Sequence, residues 1–196
     1  MIPRKLWDAA VSLDAFLHAS HLNYCLIGGI ALQRWGQPRQ TNDVDATVFA
    51  DFGDEQPVIQ LLTQRFQTRL PDAAEFALQA RVLLLADRNG SPFDISFGAI
   101  GFEERMIQRS SLWTTPTGHS IRTCSAEDLI VLKAFANRPQ DWIDIAAVID
   151  RQHSRLNRTQ ILTDIKPLAD LKEDPEILQK ITHLLASPLP GERGRG

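Results

Sequence analysis

A glycine pair and, farther along, two aspartates separated by one valine constrain this chain more than any other feature. Gly28 and Gly29 close a short apolar run, and Asp43 and Asp45 open a β-branched, apolar segment that predicts a strand. Alternate residues of a strand share a face, so these two carboxylates are expected side by side. Neighbouring carboxylates repel, and a bound divalent cation is the commonest reason for a fold to keep them together.

The glycine pair indicates a phosphate beside that cation. Glycine lets the backbone approach a ligand closely, and backbone N–H groups at the start of a helix bind phosphate. A brief helix is predicted just after the pair, over 30–35, and Gly36 and Pro38 end it. The two features together predict a site for a nucleoside triphosphate with Mg²⁺, or Mn²⁺ in its place, shared between the carboxylates and the substrate phosphates.

The predicted elements divide the chain into a mixed α/β front half and an all-helical back half. Hydrophobic periodicity and turn residues define them, and an Asn-Gly turn at 89–90 indicates a hairpin. The predicted helices are 5–19, 30–35, 54–68, 102–109, 126–137, 141–153, 159–171 and 175–186, and the predicted strands are 24–27, 43–50, 81–86, 92–97 and a minor hairpin within 112–123. The segment 71–79 is ambiguous. This order predicts an α+β fold with an α/β domain over 1–124, a helical region over 125–187 and a disordered tail over 188–196.

Bulk properties exclude several classes of protein. The net charge of −3 argues against binding nucleic acid through overall positive charge, although a local basic patch is compatible with it. No apolar run approaches the roughly 20 residues that span a bilayer, and the first residues lack a signal-peptide pattern. Cys25 and Cys124 lie among apolar residues and are expected to be buried thiols in a reducing compartment. We therefore expect a cytoplasmic protein without membrane contact.

A third carboxylate is predicted on the strand over 92–97. Phe93, Ile95 and Phe97 occupy one face, which leaves Asp94 and Ser96 on the other. Acids are depleted in strands, so Asp94 requires an explanation. Taken alone it would be a solvent-facing acid, but the aspartate pair favours a third metal ligand.

Lys133 interrupts a helix that is otherwise apolar on all sides. A lone cation there needs a partner, for which a triphosphate is one candidate, unless the side chain extends to solvent. Asp141 and Asp144 share a helix face, and Asp141 lies near a helix start, where an acid is favourable in any case. Its functional role would be to orient Lys133 or the nucleotide. Arg39 could contact phosphate or pair with the first aspartate.

These residues resemble the polymerase-β-type nucleotidyltransferase superfamily, and within it the AbiEii-like group. That group includes toxin components of toxin–antitoxin and phage-abortive systems. The resemblance covers roughly positions 5 to 150. One departure is Gln140, which stands where the family often has lysine. The matching positions are Gly28-Gly29, Arg39-x-Thr41-x-Asp43-x-Asp45, Asp94, and Glu127-Asp128-Leu129 followed by Lys133, Arg138, Asp141 and Asp144.

The resemblance implies a polymerase-β-like mixed sheet flanked by helices, followed by a helical bundle that completes the nucleotide site. It also implies roles for residues. Asp43 and Asp45 would hold Mg²⁺ on the triphosphate, and Asp94 would help to hold a second metal and activate the attacking hydroxyl. The residues expected to bind the nucleotide are Gly28, Gly29, Arg39, Lys133 and Asp141.

Three functions are compatible with these residues. The first is transfer of a nucleoside monophosphate from an NTP to a hydroxyl of RNA, such as the tRNA acceptor end, or of a protein or small molecule. A toxin with an antitoxin protein as its partner is one version of it. The second is a non-catalytic module that senses a nucleotide or binds a protein. The third, a Ca²⁺-binding structural domain, ranks last because the aspartate pair lacks the glycine and the later glutamate of an EF-hand loop.

Overall fold

The computed structural model describes residues 2–186, so the predicted tail over 188–196 lies outside the described residues. A short 3₁₀ helix, His153–Arg155, follows α7. The α-helices are α1 Arg4–Ala19, α2 Gly28–Trp35, α3 Glu55–Arg65, α4 Ala73–Ala80, α5 Gly101–Arg109, α6 Ala126–Ala136, α7 Pro139–Gln152, α8 Arg158–Leu171 and α9 Pro175–Ala186. The strands are β1 Tyr24–Leu26, β2 Val44–Phe49, β3 Gln67–Thr68, β4 Val82–Ala86, β5 Pro92–Gly98, β6 Ser111–Thr114 and β7 Ser120–Thr123.

The strands form one mixed sheet in the order β3-β4-β5-β2-β1-β7-β6. The pairs β2–β5 and β1–β7 are parallel, and the other neighbours are antiparallel. The predicted hairpins, β4–β5 and β6–β7, are both present. The α+β fold class is therefore confirmed, and the parallel β2–β5 pair places the segments that carry the three predicted acids side by side.

One face of the sheet carries the core of the first half. Phe93, Ile95 and Phe97 of β5 are buried, as their alternation predicts. The prediction of a helix over 54–68 was wrong at its end. Helix α3 stops at Arg65 because Phe66 turns to an extended backbone and packs edge-on against Phe93, with ring centroids 5.2 Å apart. The next two residues then pair with β4 as strand β3.

Helix α1 is attached to the sheet by a buried carboxylate. The Tyr24 hydroxyl and the Arg122 backbone N–H each donate to Asp14 Oδ1, both at 2.8 Å. Burial raises the pKa of Asp14 although these two donors oppose the shift. Cys25 and Cys124 are buried thiols, as predicted.

The described chain forms two compact units, residues 2–31 with 39–124, and residues 32–38 with 125–186. Helices α6 to α9 belong to the second unit. The Ser125 hydroxyl accepts the Asp128 backbone N–H and caps α6. No helix in residues 2–186 combines the length and the apolar composition needed to cross a bilayer. The assignment of a catalytic role to 1–124 and an assisting role to 125–187 stays a prediction.

Candidate functional site

Three carboxylates predicted from the sequence lie together in the first unit. Asp45 of β2 is directly opposite Asp94 of β5 in the parallel register, and Asp43 immediately precedes β2. One carboxylate oxygen from each residue lies within 4.8 Å of the other two, and all three residues are half-buried. Strand alternation directs them away from the aromatic core face of β5, because that face is occupied by the residues on either side of Asp94.

Each carboxylate of this acid cluster has a different donor. The Thr41 hydroxyl donates to Asp43 Oδ1 at 2.9 Å, and the Gly29 backbone N–H approaches Asp45 Oδ2 at 3.5 Å. Arg69 Nη2 donates to Asp94 Oδ1 in an ion pair. The cluster therefore combines three acids with a hydroxyl, a helix N-terminal amide and one guanidinium.

The donor set of the acid cluster fits a hard divalent cation. Mg²⁺ prefers oxygen ligands at about 2.1 Å, so ligand oxygens lie about 3 Å apart when adjacent and about 4.2 Å apart when opposite. Separations within 4.8 Å reach those values after small side-chain rotations. The side chains are also accessible enough to share the cation with a substrate. Asp43, Asp45 and Asp94 are therefore able to hold a metal ion.

The glycine pair has a steric reason for being glycine. Helix α2 begins at Gly28, two residues earlier than predicted, and Gly28 has φ +57°. A Cβ at Gly28 would overlap Asp45 Oδ2, and one at Gly29 would lie 2.6 Å from the Cβ of Thr41. Gly28 is needed for the Asp45 carboxylate to approach the start of α2, and Gly29 is needed for the close approach of Thr41. Their contact with a triphosphate stays a prediction.

Lys133 lies in the second unit with two of the acids that follow it in the sequence. It is 5 % exposed, so the alternative that its side chain extends to solvent was wrong. Its Nζ donates to Asp141 Oδ1 at 3.1 Å and to Asp144 Oδ2 at 2.7 Å, and both aspartates are buried. Two of its three N–H donors are thus accounted for within the protein. We call these three residues the buried triad.

The buried triad is extended by residues at the start of α7. Arg138 Nε donates to Asp141 Oδ2 at 2.7 Å, and Gln140 Nε2 donates to Asp144 Oδ1 at 3.0 Å. Burial on its own would raise the pKa of Asp141, but the hydrogen bonds and positive charges of Arg138 and Lys133 outweigh it and lower that pKa. Asp141 is therefore held as a carboxylate. Gln140, which departs from the family pattern, orients Asp144.

The sequence indicated a site role for Arg39 but gave no sign of one for Arg69. Arg39, predicted to bind nucleotide, is half-buried, and its Nη1 donates to the Gln40 carbonyl at 3.1 Å. Arg69 was missed, because the residues just before it were expected to be helical and its partner Asp94 is distant in the sequence. Only the pairing of β3 with β4 brings the two together.

A family model described as "Nucleotidyl transferase AbiEii toxin, Type IV TA system" matches residues 13–175. The chain belongs to this family. The AbiEii match spans the acid cluster, the glycine pair and the buried triad, and it confirms the resemblance stated from the motifs. Membership makes this chain a nucleotidyltransferase by class.

Solved structures similar to this AbiEii family member also carry nucleotidyltransferase descriptions. An antigenic nucleotidyltransferase-like protein from Paracoccidioides brasiliensis is 13% identical, with a TM-score of 0.49, over 90% of this chain and 92% of that one. The lincosamide antibiotic adenylyltransferase LnuA, bound to lincomycin, is 15% identical, with a TM-score of 0.46, over 75% of this chain and 96% of that one. No curated protein sequence matches the chain.

Proposed function

We propose that the chain transfers a nucleoside monophosphate from an NTP to a hydroxyl acceptor at the acid cluster, with Mg²⁺ or Mn²⁺ held there. The observation that carries the proposal is the approach of the Asp43, Asp45 and Asp94 oxygens to within 4.8 Å, beside the glycine-led start of α2. Repulsion between carboxylates this close together destabilises the fold, and a bound cation would offset that repulsion.

The residues of the first unit have distinct proposed roles. Asp43 and Asp45 would hold the metal that accompanies the triphosphate, and Asp94 would help to hold a second metal and would activate the attacking hydroxyl of the acceptor. The backbone N–H groups of Gly28 and Gly29, at the positive end of α2, would bind the phosphates. Metal ions, when bound there, would neutralise the charge that develops on the attacking and leaving oxygens of an in-line displacement.

Three further residues are proposed to bind the nucleotide. Arg39 offers a guanidinium suited to phosphate. Lys133 retains one N–H beyond its bonds to Asp141 and Asp144, and Asp141 fixes the ammonium in place. Neutral substitution of Arg39 should raise KM for the NTP more than it lowers kcat, because it removes binding energy common to the ground state and the transition state.

The proposed acceptor is a hydroxyl of RNA, such as the tRNA acceptor end, or of a protein or small molecule. The family description supports a toxin paired with an antitoxin, and we propose that role for this chain. Induced expression should then arrest growth in wild type and should not do so in Asp45→Asn. Growth arrest by both forms, or by neither, would contradict the toxin role but would not contradict the proposed transfer activity.

The decisive experiment incubates the protein with each α-labelled NTP, Mg²⁺ and, in turn, total RNA, total protein and a small-molecule extract. We expect label to reach one acceptor class, and Asp43→Asn, Asp45→Asn and Asp94→Asn each to lower the rate by roughly 10²–10³-fold. Asp51→Asn is the matched control, because Asp51 is an exposed acid beyond the other end of β2. It should retain the wild-type rate.

Two results would count against transfer activity. Absence of label in every acceptor class with all four NTPs would reject it, and nucleotide binding that persisted would support the sensing module instead. Equal loss of rate in Asp51→Asn and the three cluster variants would show that the acids do not act as a specific site.

A further inference from the structure

Arg69 has a position fixed by the sheet. Its backbone N–H donates to the Leu84 carbonyl at 3.0 Å, which continues the pairing of β3 with β4. Leu84 is opposite Asp94, and Asp94 is opposite Asp45. These four residues form one row across neighbouring segments of the sheet. The guanidinium therefore reaches the acid cluster from a strand edge that the register holds in place.

The ion pair between Arg69 and Asp94 is accessible to solvent. The two side chains are 32% and 35% exposed, respectively. Ion pairs with this exposure are weak and exchange partners readily, in contrast to buried pairs. The pair can therefore open when a competing cation or anion arrives.

Two ligands of opposite charge would compete for this pair. A metal ion competes with the guanidinium for Asp94, and the positive charge of Arg69 opposes a second cation nearby. A phosphate competes with Asp94 for the guanidinium, whose planar fork of N–H donors suits phosphate oxygens. Arg69 thus disfavours the binding of metal alone and favours the binding of a phosphate-bearing substrate.

We propose that Arg69 makes metal loading of the acid cluster depend on the triphosphate substrate. In the free protein Arg69 occupies Asp94 and weakens metal binding. When the triphosphate arrives, the guanidinium moves to a phosphate oxygen and Asp94 is released to the metal. The device keeps the cluster from holding metal without substrate. This inference rests on the proposed function, and it assigns to Arg69 a control over the same site.

The test measures Mn²⁺ affinity and phosphate affinity separately. Mn²⁺ dissociation constants come from the electron paramagnetic resonance signal of the free ion, and inorganic triphosphate binding is measured by calorimetry with chelator present. Arg69→Gln should tighten Mn²⁺ binding on the order of tenfold, chiefly because it removes the guanidinium that competes with the ion for Asp94 and, in addition, a positive charge near the ion. It should weaken triphosphate binding by a similar factor. Arg69→Lys, which retains the charge, should shift the Mn²⁺ affinity by less than about threefold.

Controls separate this effect from loss of structure. Arg88→Gln removes an exposed arginine in the β4–β5 turn and should change neither affinity. Asp94→Asn should largely abolish the gain produced by Arg69→Gln in the double variant, because the competition acts through that carboxylate. Circular dichroism and thermal unfolding confirm that each variant is folded.

Two outcomes would overturn the inference. The first is unchanged or weaker Mn²⁺ binding in Arg69→Gln, because a residue that merely positions Asp94 would be expected to assist the metal. The second is tighter Mn²⁺ binding with unchanged triphosphate binding, since the coupling to substrate would then be missing. Failure of the proposed function differs from both, because Asp43→Asn and Asp45→Asn would then leave Mn²⁺ binding intact.

Discussion

The acid cluster and the buried triad both combine carboxylates with cationic side chains, but they differ in charge balance and in exposure to solvent. The cluster places three half-buried carboxylates against one accessible guanidinium. In the triad, Asp141 and Asp144 are 1% and 3% exposed and share Lys133, with Arg138 on the outside. The cluster carries surplus negative charge in reach of solvent, whereas the two buried aspartates of the triad are compensated by buried Lys133 and, from the solvent side, by Arg138. Surplus charge suits the cluster to a metal ion, whereas the bonds of the triad stabilise the fold and hold Lys133 in place for its proposed contact with the nucleotide.

The largest expected effect follows from breaking the balance of the buried triad. Lys133→Met leaves two buried carboxylates without their shared cation, and we expect the free energy of unfolding to fall by about 3–5 kcal/mol. Lys180→Met is the control, because Lys180 forms an exposed ion pair with Glu176 and should change stability by under about 1 kcal/mol. Urea unfolding of both variants measures the difference. Similar small losses in the two would contradict the structural role of the triad.

The next effect tests the steric demand of the acid cluster. Gly28→Ala places an ordinary side chain at φ +57°, a backbone penalty of about 1–2 kcal/mol, and its Cβ would displace the Asp45 carboxylate. Gly118→Ala is the matched control for Gly28→Ala. Gly118 also has a positive φ, +87°, but an added Cβ there would meet no atom within 4 Å. We expect Gly28→Ala to lose more stability than Gly118→Ala and to lose transfer activity besides. Equal losses with activity intact would mean that the close approach has no function.

A smaller effect, of the opposite sign, distinguishes a ligand site from a structural one. Asp45→Asn relieves repulsion from Asp94 directly across the β2–β5 pair. The free energy of unfolding should stay the same or rise by roughly 0.2–1 kcal/mol, although activity is lost. Asp144→Asn should instead lower it, since Asp144 compensates Lys133. Destabilisation by Asp45→Asn comparable to that of Asp144→Asn would remove the distinction between the two regions.

The sequence predicted the acid cluster better than the triad for a physical reason. Strand alternation alone relates Asp43 to Asp45 and places Asp94 opposite the core face of β5. Lys133 was correctly identified as a cation in need of a partner. Its protein partners lie on the next helix, so finding them depended on how α6 packs against α7, which periodicity does not describe.

Arg69 shows what local patterns omit. The residues from Thr63 to Arg69 have no apolar alternation that would separate a helix end from a short strand. The strand exists because Phe66 is drawn into the core and the following backbone pairs with β4. A tertiary contact thus decided the local structure, and with it the ion pair to Asp94. Such a residue becomes visible only when the sheet register is known.

The smallest expected effect concerns the acid limit of stability in the triad. The pKa of Asp141 is lowered in the folded protein, so the unfolded chain binds more protons at low pH. The stabilisation is complete above the unfolded pKa of about 3.9 and is lost as the pH falls through the lower, folded pKa. Arg138→Gln removes one cause of that lowering, and the acid-unfolding midpoint should move to higher pH. The shift should be modest, because the Arg138 side chain is 74% exposed and water screens its charge. Lys166→Gln, which removes an exposed charge from α8, should leave the midpoint in place, and an equal shift in both variants would assign the effect to net charge rather than to Asp141.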